Sequence, residues 1–467
     1  MNERLGDRFR NIFVIILVVL FGSGSWLAIN GLWVELPLMV ALGIPEGYNL
    51  ASYLVIIIQL ANVGPLSFTA FSYFVKGNKL EIPTIYLSLS AGVFACLLLV
   101  FFWDATTVWG VFGEPRSTAL ICLSFVLALV NCTSSVTFIP FMVKLKSSYM
   151  TWFFVGQGFS ALAPSLVALG QGVGKQVCVA NYTYLSTGDN CTSWMSQTQP
   201  AKFPPETFFS FLCASMFLSF AAFLFLHILP SSKKEYAQQD AETQSSSEKY
   251  NESRSSETNF NKEDSTEKQK SSDRLEDENS EQRQGYSKGE YAILFVILAI
   301  TNALSNSVLP SIQSFSCGAY GFNAYLLAAT LGQVANPLAC FIVMFFPQTS
   351  LVLVAGTCLL GLLMGGYCMA TALLSPAPPL QEDISGVALV VIAWILAGGL
   401  FAHVKATIGF ILRNQPHNHR LLTWYGIVTQ LGSLTGALII FPFVNVLSAF
   451  VPYYSDPCQG YPICEPS

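Results

Sequence analysis

The chain has 467 residues, of which 52% are hydrophobic and only 11% are charged. This composition is typical of an integral membrane protein and excludes an ordinary soluble domain. The net charge of -5 comes mostly from residues 231–289, which hold 10 Lys/Arg and 14 Asp/Glu, so no nucleic-acid partner is expected.

A helix needs about 20 apolar residues to cross the hydrocarbon core of a membrane. Eleven uncharged runs of this length follow along the chain: 11–40, 51–75, 80–103, 117–142, 149–170, 206–229, 290–310, 322–347, 350–374, 384–412 and 421–451. The first is not predicted to be a cleaved signal peptide, because it continues through Trp26 and Trp33 without a small-residue cleavage site. We therefore expect an all-α membrane protein with eleven transmembrane helices.

The basic residues of the loops predict the orientation. With a cytoplasmic N-terminus, nineteen Lys/Arg lie on the inner side and only Arg116, Lys175 and Lys202 on the outer side. The acceptor sequences for glycosylation at Asn181 and Asn190 then fall in an outer loop. Eleven crossings place the C-terminus outside the cell.

The same outer loop contains Cys178 and Cys191, which are separated by a short segment. A short loop closes easily, and an extracellular loop is exposed to oxidising conditions. We therefore predict a disulfide between these two cysteines.

Residues 231–289 are rich in Ser, Glu, Gln, Lys and Asn and contain almost no apolar residues. Such a segment cannot repay the conformational entropy of folding. It is predicted to be a disordered cytoplasmic linker between an N-terminal six-helix bundle, 1–230, and a C-terminal five-helix bundle with an extracellular tail, 290–467.

The two helix groups share an internal repeat. Three motifs recur at offsets of 273, 274 and 273 residues: Glu35-Leu-Pro37 and Val308-Leu-Pro310, Gln59-Leu-Ala-Asn62 and Gln333-Val-Ala-Asn336, and Gln157-Gly-Phe-Ser160 and Gln430-Leu-Gly-Ser433. Helices one, two and five correspond to seven, eight and eleven, so the halves are predicted to be parallel repeats, the second without its sixth helix. Carriers use this 6+5 type of plan, with substrate bound between the halves and exposed to each side in turn.

Polar residues inside the helices are candidates for a substrate site, because an unpartnered amide is costly in hydrocarbon. The candidates are Trp26, Asn30, Glu35, Gln59, Asn62, Asn131, Ser135, Phe138, Gln157, Asn302, Asn306, Gln313 and Lys405. Neutral amides suit a polar, uncharged solute with several donors and acceptors. Such residues can also join helices, or cap backbone groups beside prolines, without touching a ligand.

Two of these candidates are charged. Glu35 lies near the outer end of helix one, where it is either interfacial or attracts and gates the substrate. Lys405 lies two turns before Arg413, so it could extend to the inner surface. The repeat, however, places Lys405 beside the mate of Asn131, which favours a position in the cavity.

An enzyme is not predicted. None of the four histidines belongs to a metal-ligand spacing, and we find no nucleophile motif and no phosphate-binding loop. No cofactor and no metal are expected.

Four stretches of the membrane part are distinctive: Trp26-Leu-Ala-Ile-Asn30-Gly-Leu-Trp-Val-Glu35-Leu-Pro37, Asn131-Cys-Thr-Ser-Ser-Val-Thr-Phe138, Leu309-Pro310-Ser-Ile-Gln313 and Ala335-Asn-Pro-Leu-Ala339. They closely resemble the vertebrate riboflavin transporters of solute carrier family 52. The resemblance implies sodium-independent uptake of riboflavin (vitamin B2) at the plasma membrane, by alternating access in a protein similar to the major-facilitator and equilibrative nucleoside carriers. The alternatives are a carrier of another nucleoside-like solute and a cell-surface receptor; the oligomeric state stays open.

The chain departs from this family at a few positions. Tyr48 stands where the family usually has Trp. Ala377 replaces an expected Cys, which casts doubt on a bridge from this position to the C-terminal tail and leaves Cys458 and Cys464 to pair with each other.

Overall fold

The computed structural model describes residues 2–74, 80–108, 113, 115–184, 190–230, 232, 286–346, 349–415 and 418–453. The first group of helices is α1 (Asn2–Ser23), α2 (Leu27–Ala41), α3 (Leu50–Ala61), α4 (Val63–Phe74), α5 (Glu81–Phe102), α6 (Thr118–Val143), α7 (Ser147–Gln171) and α8 (Pro205–Ile228). The second is α9 (Lys288–Ala303), α10 (Leu309–Gly318), α11 (Phe322–Phe345), α12 (Leu351–Leu373), α13 (Ile384–Arg413) and α14 (Asn418–Asn445). Nearly all of the predicted linker, 231–289, lies outside the described residues.

The described helices confirm the prediction of eleven membrane spans. Ten are long and apolar enough to cross a membrane, and the pair α1 and α2, bent by 54°, makes the eleventh. The helices α3 and α4 form one span, and α9 and α10 form another. The predicted and observed bounds agree to within four residues, because hydropathy changes sharply at the ends of these helices, except that the seventh span ends eight residues later, at Gly318, and the eleventh six residues earlier, at Asn445.

Three spans are interrupted at their middle. α1 and α2 meet at residues 24–26, α3 and α4 meet at Asn62, and a π-helical turn, Leu304–Val308, separates α9 from α10. Pro65 and Pro310 follow two of these breaks. Proline lacks the N–H that would bond the carbonyl four residues earlier, so it frees a backbone acceptor and loosens the turn.

The packing of the helices follows the repeat. In the first half α1 packs on α7, α3 on α6 and α5 on α6; in the second half the equivalent helices pack as α9 on α14, α11 on α13 and α12 on α13. Contacts between the halves also come as repeat mates: α7 with α11 matches α3 with α14, and α2 with α11 matches α3 with α10. α8 packs on α1 and α5 without a counterpart, because the second half has no sixth helix.

Glycines allow the first and fifth helices of each repeat to approach closely. A Cβ added to Gly156 of α7 would lie 2.3 Å from the carbonyl oxygen of Val19 in α1. A Cβ added to Gly436 of α14 would lie 2.4 Å from the carbonyl oxygen of Ala303 in α9. Both repeats therefore use a small residue at the same interface, as membrane helices often do.

A hairpin of β3 (Lys175–Tyr184) and β4 (Asn190–Gln199) follows α7, and a shorter pair, β1 (Thr107–Val108) with β2 (Pro115–Arg116), precedes α6. The register of the longer hairpin pairs Cys178 with Ser196 and Cys191 with Thr183. The two cysteines are thus five residues apart along the strands, about 16 Å at the rise of a β-strand. A disulfide needs Cα atoms within about 7 Å, so the predicted Cys178–Cys191 bond is wrong for this hairpin.

Cys178 is disulfide-bonded all the same. The eight cysteines of α5, α6, α8, α10, α11 and α12 are free. The predicted pair of tail cysteines, Cys458 and Cys464, lies outside the described residues.

Candidate functional site

A cavity of about 810 Å³ lies between the two helix groups. Its wall is formed by α2, α3, α6 and α7 from the first group and by α10, α11, α13, α14 and the π-turn from the second. The broken spans contribute to this wall at or beside their breaks, where backbone and side-chain polar groups can face a cavity instead of lipid. The cavity is therefore the candidate site.

Nine of the thirteen predicted site residues line this cavity. They are Trp26, Asn30, Gln59, Asn62, Ser135, Gln157, Asn306, Gln313 and Lys405.

The other four predicted residues are fully or almost fully buried behind the wall: Glu35, Asn131, Phe138 and Asn302. Phe138 stacks on Phe21 of α1 at a centroid distance of 4.3 Å, within the core of the first half. Asn302 donates to the carbonyl of Leu298 at 2.8 Å. Both side chains are packed among the helices, and neither lines the cavity.

The side-chain amide of Asn131 forms hydrogen bonds with the backbone at the break between α1 and α2. In the amide orientation that satisfies both of its groups, it donates to the carbonyl of Ser25 at 2.9 Å and accepts from the N–H of Ile29 at 3.2 Å. Ser134 donates to the same Ser25 carbonyl at 3.2 Å. These bonds replace part of the helical hydrogen bonding that the bend removes, so Asn131 holds the bend and does not reach the cavity.

Glu35 is only 1% exposed. Its Oε1 accepts a 3.0 Å hydrogen bond from Gln171 Nε2, which also donates to the carbonyl of Phe203 at 3.2 Å. Glu35 therefore connects α2 to the end of α7 instead of standing at the membrane surface. Its other oxygen, Oε2, has no partner among the described residues.

Lys405 is the centre of a polar cluster on the cavity wall. Its ammonium donates to Ser305 Oγ at 3.0 Å and to Asn306 Oδ1 at 3.1 Å. Asn306 Nδ2 in turn donates to Asn302 Oδ1 and to Ser433 Oγ, both at 3.0 Å. Both acceptor residues belong to the π-turn, a type of helical irregularity that is frequent at functional sites.

This cluster offers donors rather than acceptors. Two N–H groups of the Lys405 ammonium donate to oxygens of the cluster, and the third can donate to a solute in the cavity. Among the described residues, no carboxylate lies within salt-bridge distance of Lys405. A solute that binds here must therefore present an oxygen or nitrogen acceptor.

The two repeats build matching parts of the wall. Asn30 Nδ2 donates to Ser160 Oγ at 3.2 Å in the first half. The Asn306–Ser433 bond joins the equivalent helices of the second half, and the two serines are 273 residues apart. Each half thus carries an asparagine on its first helix that bonds a serine on its fifth.

Aromatic rings form the flat parts of the wall. Trp26 and Trp33 lie on the first half, and Trp394 and Phe401 on the second. Trp394 Nε1 donates to Ser316 Oγ at 3.0 Å, which fixes the orientation of its indole. Such rings can stack on a planar solute.

Several residues of the wall are absent from the sequence-based set. Gln333, Asn336 and Gln430 also line the cavity. Gln333 and Asn336, like their mates Gln59 and Asn62, stand beside prolines, where the sequence left capping of backbone groups and contact with substrate equally open, and the repeat could have selected Gln430 as the mate of Gln157. Ser433 was likewise marked by the repeat, as the mate of Ser160, whereas no sequence signal distinguished Trp394 or Ser305 from ordinary helix residues.

The cavity is closed at the end of the bundle that contains Tyr48, here called the Tyr48 end. The Tyr48 hydroxyl donates to the carbonyl of Tyr453, and Ser314 Oγ donates to the carbonyl of Tyr48, both at 2.6 Å. Asn445 Nδ2 donates to Ser52 Oγ at 2.8 Å. Each of these bonds joins the first half to the second, so this end is sealed by direct contact between them.

At the opposite end the wall is open. Phe154 of α7 and Met344 of α11 line the cavity there, and they are 46% and 51% exposed. α4, which runs to the same end, has no buried residue. The described residues therefore close the cavity at the Tyr48 end and enclose it less at the opposite end.

Comparisons with known proteins agree with this arrangement. The family model for solute carrier family 52, riboflavin transporter, matches residues 10–452. The chain is 45% identical over 455 residues to solute carrier family 52, riboflavin transporter, member 3-B of Danio rerio, covering 96% of this chain and 99% of the relative. It is 39% identical over 476 residues to member 3 of Homo sapiens, covering 93% and 96%.

Among solved structures, a mutant of the nucleoside transporter NupG superposes with a TM-score of 0.50 at 12% identity, covering 93% of this chain and 91% of that chain. At such low identity the likeness concerns the fold alone. It confirms the predicted carrier-type arrangement of helices.

Proposed function

This chain belongs to the solute carrier family 52 of riboflavin transporters, and we propose from that premise that it carries riboflavin across a membrane through the central cavity. The observation that supports this most is the wall itself, which combines aromatic planes with a donor-rich cluster around Lys405. Riboflavin has a flat tricycle, an imide edge and a polyol tail, so it needs both kinds of surface.

The size of the cavity supports a solute of this class. At about 810 Å³ it lies within the range of about 300–1,000 Å³ typical of pockets for small organic ligands. Trp26, Trp33 and Trp394 are the rings on which the tricycle can stack. Asn30, Gln59 and the other neutral amides of the wall are left to bond the hydroxyl groups of the tail.

The mechanism we propose is alternating access. The cavity is sealed by hydrogen bonds between the halves at the Tyr48 end and is accessible at the other end. Rocking of the halves about the bound solute would open the first end and close the second. The matched contacts of α7 with α11 and of α3 with α14 provide two equivalent surfaces for this movement.

The cellular setting is also a proposal. The distribution of Lys/Arg in the loops supports a cytoplasmic N-terminus, and the Tyr48 end then faces the outside. On this basis the protein acts at the plasma membrane without sodium coupling, with glycans on Asn181 and Asn190 and with residues 231–289 as a cytoplasmic linker between the bundles of residues 1–230 and 290–467. The side chains of both asparagines lie outside the described residues.

Uptake of labelled riboflavin by proteoliposomes containing the purified chain tests the proposal. We expect saturable uptake that unlabelled riboflavin competes and that is unchanged when potassium replaces sodium. Competition by nucleosides at least as strong as that by riboflavin would favour the nucleoside-like alternative. Binding of riboflavin without uptake would favour a receptor, and neither binding nor uptake would overturn the proposed substrate.

Two variants distinguish the effect of a residue on the cavity wall from that of a residue in the buried core. Asn30→Ala removes a polar group of the cavity wall, and Phe138→Leu changes a buried ring in the first-half core. We expect the first to weaken riboflavin binding by about five- to 150-fold with little change in melting temperature, because one hydrogen-bonding group is lost. The second should lower the melting temperature while the purified protein binds riboflavin normally.

A further inference from the structure

A hydrogen bond between two side-chain amides joins the halves where α3 meets α14, the contact whose repeat mate is that of α7 with α11. Asn62 Nδ2, between α3 and α4, donates to Gln430 Oε1 of α14 at 3.0 Å. The repeat maps Asn62 onto Asn336 of α11 and Gln430 onto Gln157 of α7. The mates of the bridge are thus the same two residue types at the other interface.

These mates are not bridged. Gln157 and Asn336 both line the cavity, and among the described residues neither side-chain amide has a hydrogen-bond partner. Their helices are nevertheless in contact, because a Cβ on Gly158 would lie 3.6 Å from Pro337 Cβ. Separation of the two helices therefore does not explain why this pair stays open, and two amides are left facing the cavity.

We infer that Gln157 and Asn336 are the pair that determines specificity, and that they bind an imide edge of the solute. A primary amide offers a donor next to an acceptor. Since the equivalent pair bonds amide to amide, a solute group that enters between Gln157 and Asn336 must itself present a donor beside an acceptor. The pyrimidinedione ring of a flavin does so, with its N3–H between two carbonyl groups; this inference rests on the proposed function.

The neighbourhood of Asn336 supports the same orientation of the solute. Cys340 follows Asn336 by one helical turn and also lines the cavity. Lys405 lines the same cavity. A ring held by its imide at Asn336 can therefore direct a carbonyl oxygen toward the third N–H of the Lys405 ammonium. That N–H faces the cavity and needs an acceptor from the solute.

The test measures how much a methyl group on N3 weakens binding. Riboflavin and N3-methylriboflavin are titrated against the purified full chain, with quenching of flavin fluorescence as the readout. In the parent protein the methyl group removes the donor and leaves an amide oxygen unpaired, so we expect binding to weaken by about five- to 150-fold. In the Gln157→Ala, Asn336→Ala double variant, this difference between the two ligands should shrink to less than about twofold, since no partner of N3–H remains.

The matched control is the Asn62→Ala, Gln430→Ala double variant, which removes the same residue types from the bridged interface. We expect it to keep the parent's preference for the unmethylated ligand, whatever its absolute affinity. If a double variant cannot be purified, the single variants Gln157→Ala and Asn336→Ala are compared with Gln430→Ala and Asn62→Ala in the same way.

Three outcomes overturn the inference: no preference in the parent, a preference that survives in the Gln157, Asn336 variants, or an equal loss in both sets of variants. A parent chain that binds neither flavin would instead overturn the proposed function. Binding of riboflavin with an unchanged N3-methyl effect would leave the carrier assignment intact and reject only this pair.

Discussion

Replacing Lys405 by Met should separate binding from stability. Met retains most of the length of the side chain but removes the ammonium and its bonds to Ser305 and Asn306, at 3.0 and 3.1 Å. Because the donor is charged, each lost bond costs the fold about 1.5–3 kcal/mol. Against this, a lysine placed at the centre of a membrane helix costs about 2.5–3.5 kcal/mol on insertion scales.

The two effects largely cancel, because Lys405 has no carboxylate partner among the described residues that would lose its counter-charge. We therefore expect the free energy of unfolding to fall by about 1.5 kcal/mol, and by no more than about 3.5 kcal/mol. Riboflavin, in contrast, would lose a hydrogen bond to a charged group, worth about 1.5–3 kcal/mol. This corresponds to binding that is weaker by roughly ten- to 150-fold.

Lys144 provides the matched control. Its ammonium lies 2.9 Å from Glu81 Oε2, and the Glu81 side chain is only 5% exposed. Lys144→Met leaves that carboxylate buried without its partner, so it should lower the stability of the protein while riboflavin binding stays normal.

The assay combines thermal unfolding of each purified variant in detergent with fluorescence titration by riboflavin and uptake into proteoliposomes. Lys405→Arg should keep part of the activity if charge alone is needed, although the larger guanidinium has a different geometry. Equal binding and uptake by Lys405→Met and the parent would remove the ammonium from the site. Unfolding of Lys405→Met would show that the cluster serves stability instead.

Three further predictions follow from other contacts. Asn131→Ala should lower the free energy of unfolding by about 1–3 kcal/mol, seen as a lower melting temperature, because it leaves a buried N–H at the helix bend unpaired; normal stability with lost binding would instead place Asn131 at the solute. Tyr48→Phe removes a 2.6 Å hydrogen bond between the halves and should shift the equilibrium toward opening of the Tyr48 end by about fivefold. The measurement is the rate at which a cysteine introduced at that end reacts with a membrane-impermeant reagent, which should rise. An unchanged rate would show that this bond does not hold the end closed. Peptide mapping without reduction should link Cys178 to one of the two tail cysteines, since the other cysteines are free or, for Cys191, out of register; a Cys178–Cys191 peptide would refute the hairpin register.

The helices and the repeat could be predicted from the sequence because each depends on local information. Hydropathy over about 20 residues marks a span whatever it packs against. The repeat could be read from three motifs at one offset, and the structure pairs the corresponding helices in the same way in both halves. Neither inference required knowing which side chains meet.

Membership of the site could not be predicted in the same way. Asn131, Ser135 and Phe138 of α6 are all candidates from the sequence, but residues this close along one helix can turn toward a cavity, a helix break or another helix. In the structure Ser135 reaches the cavity, Asn131 meets the bend between α1 and α2, and Phe138 stacks in the core. The 54° bend between α1 and α2 provides the backbone groups that Asn131 binds, and the spacing of residues along α6 does not encode it.

The predicted disulfide between Cys178 and Cys191 is wrong for a similar reason. A short separation along the chain made a bond between Cys178 and Cys191 easy to close. In a β-hairpin, however, the register determines which residues face each other, and here it offsets the two cysteines by five positions. Proximity in sequence is therefore a poor guide wherever the segment between two cysteines forms paired strands.

The near symmetry of the cavity raises the question of how a solute is oriented within it. Both halves supply an asparagine–serine pair, and both supply the Gln and Asn residues of the repeated motifs. Cys132 and Lys405 occupy equivalent positions 273 residues apart, and both line the cavity. One is a neutral thiol and the other an ammonium, so the field across the cavity points away from the second half. A flavin, whose carbonyl groups lie at one end of its ring system, would be bound in a single orientation by this difference, because turning it round would move those oxygens from the cation to the thiol.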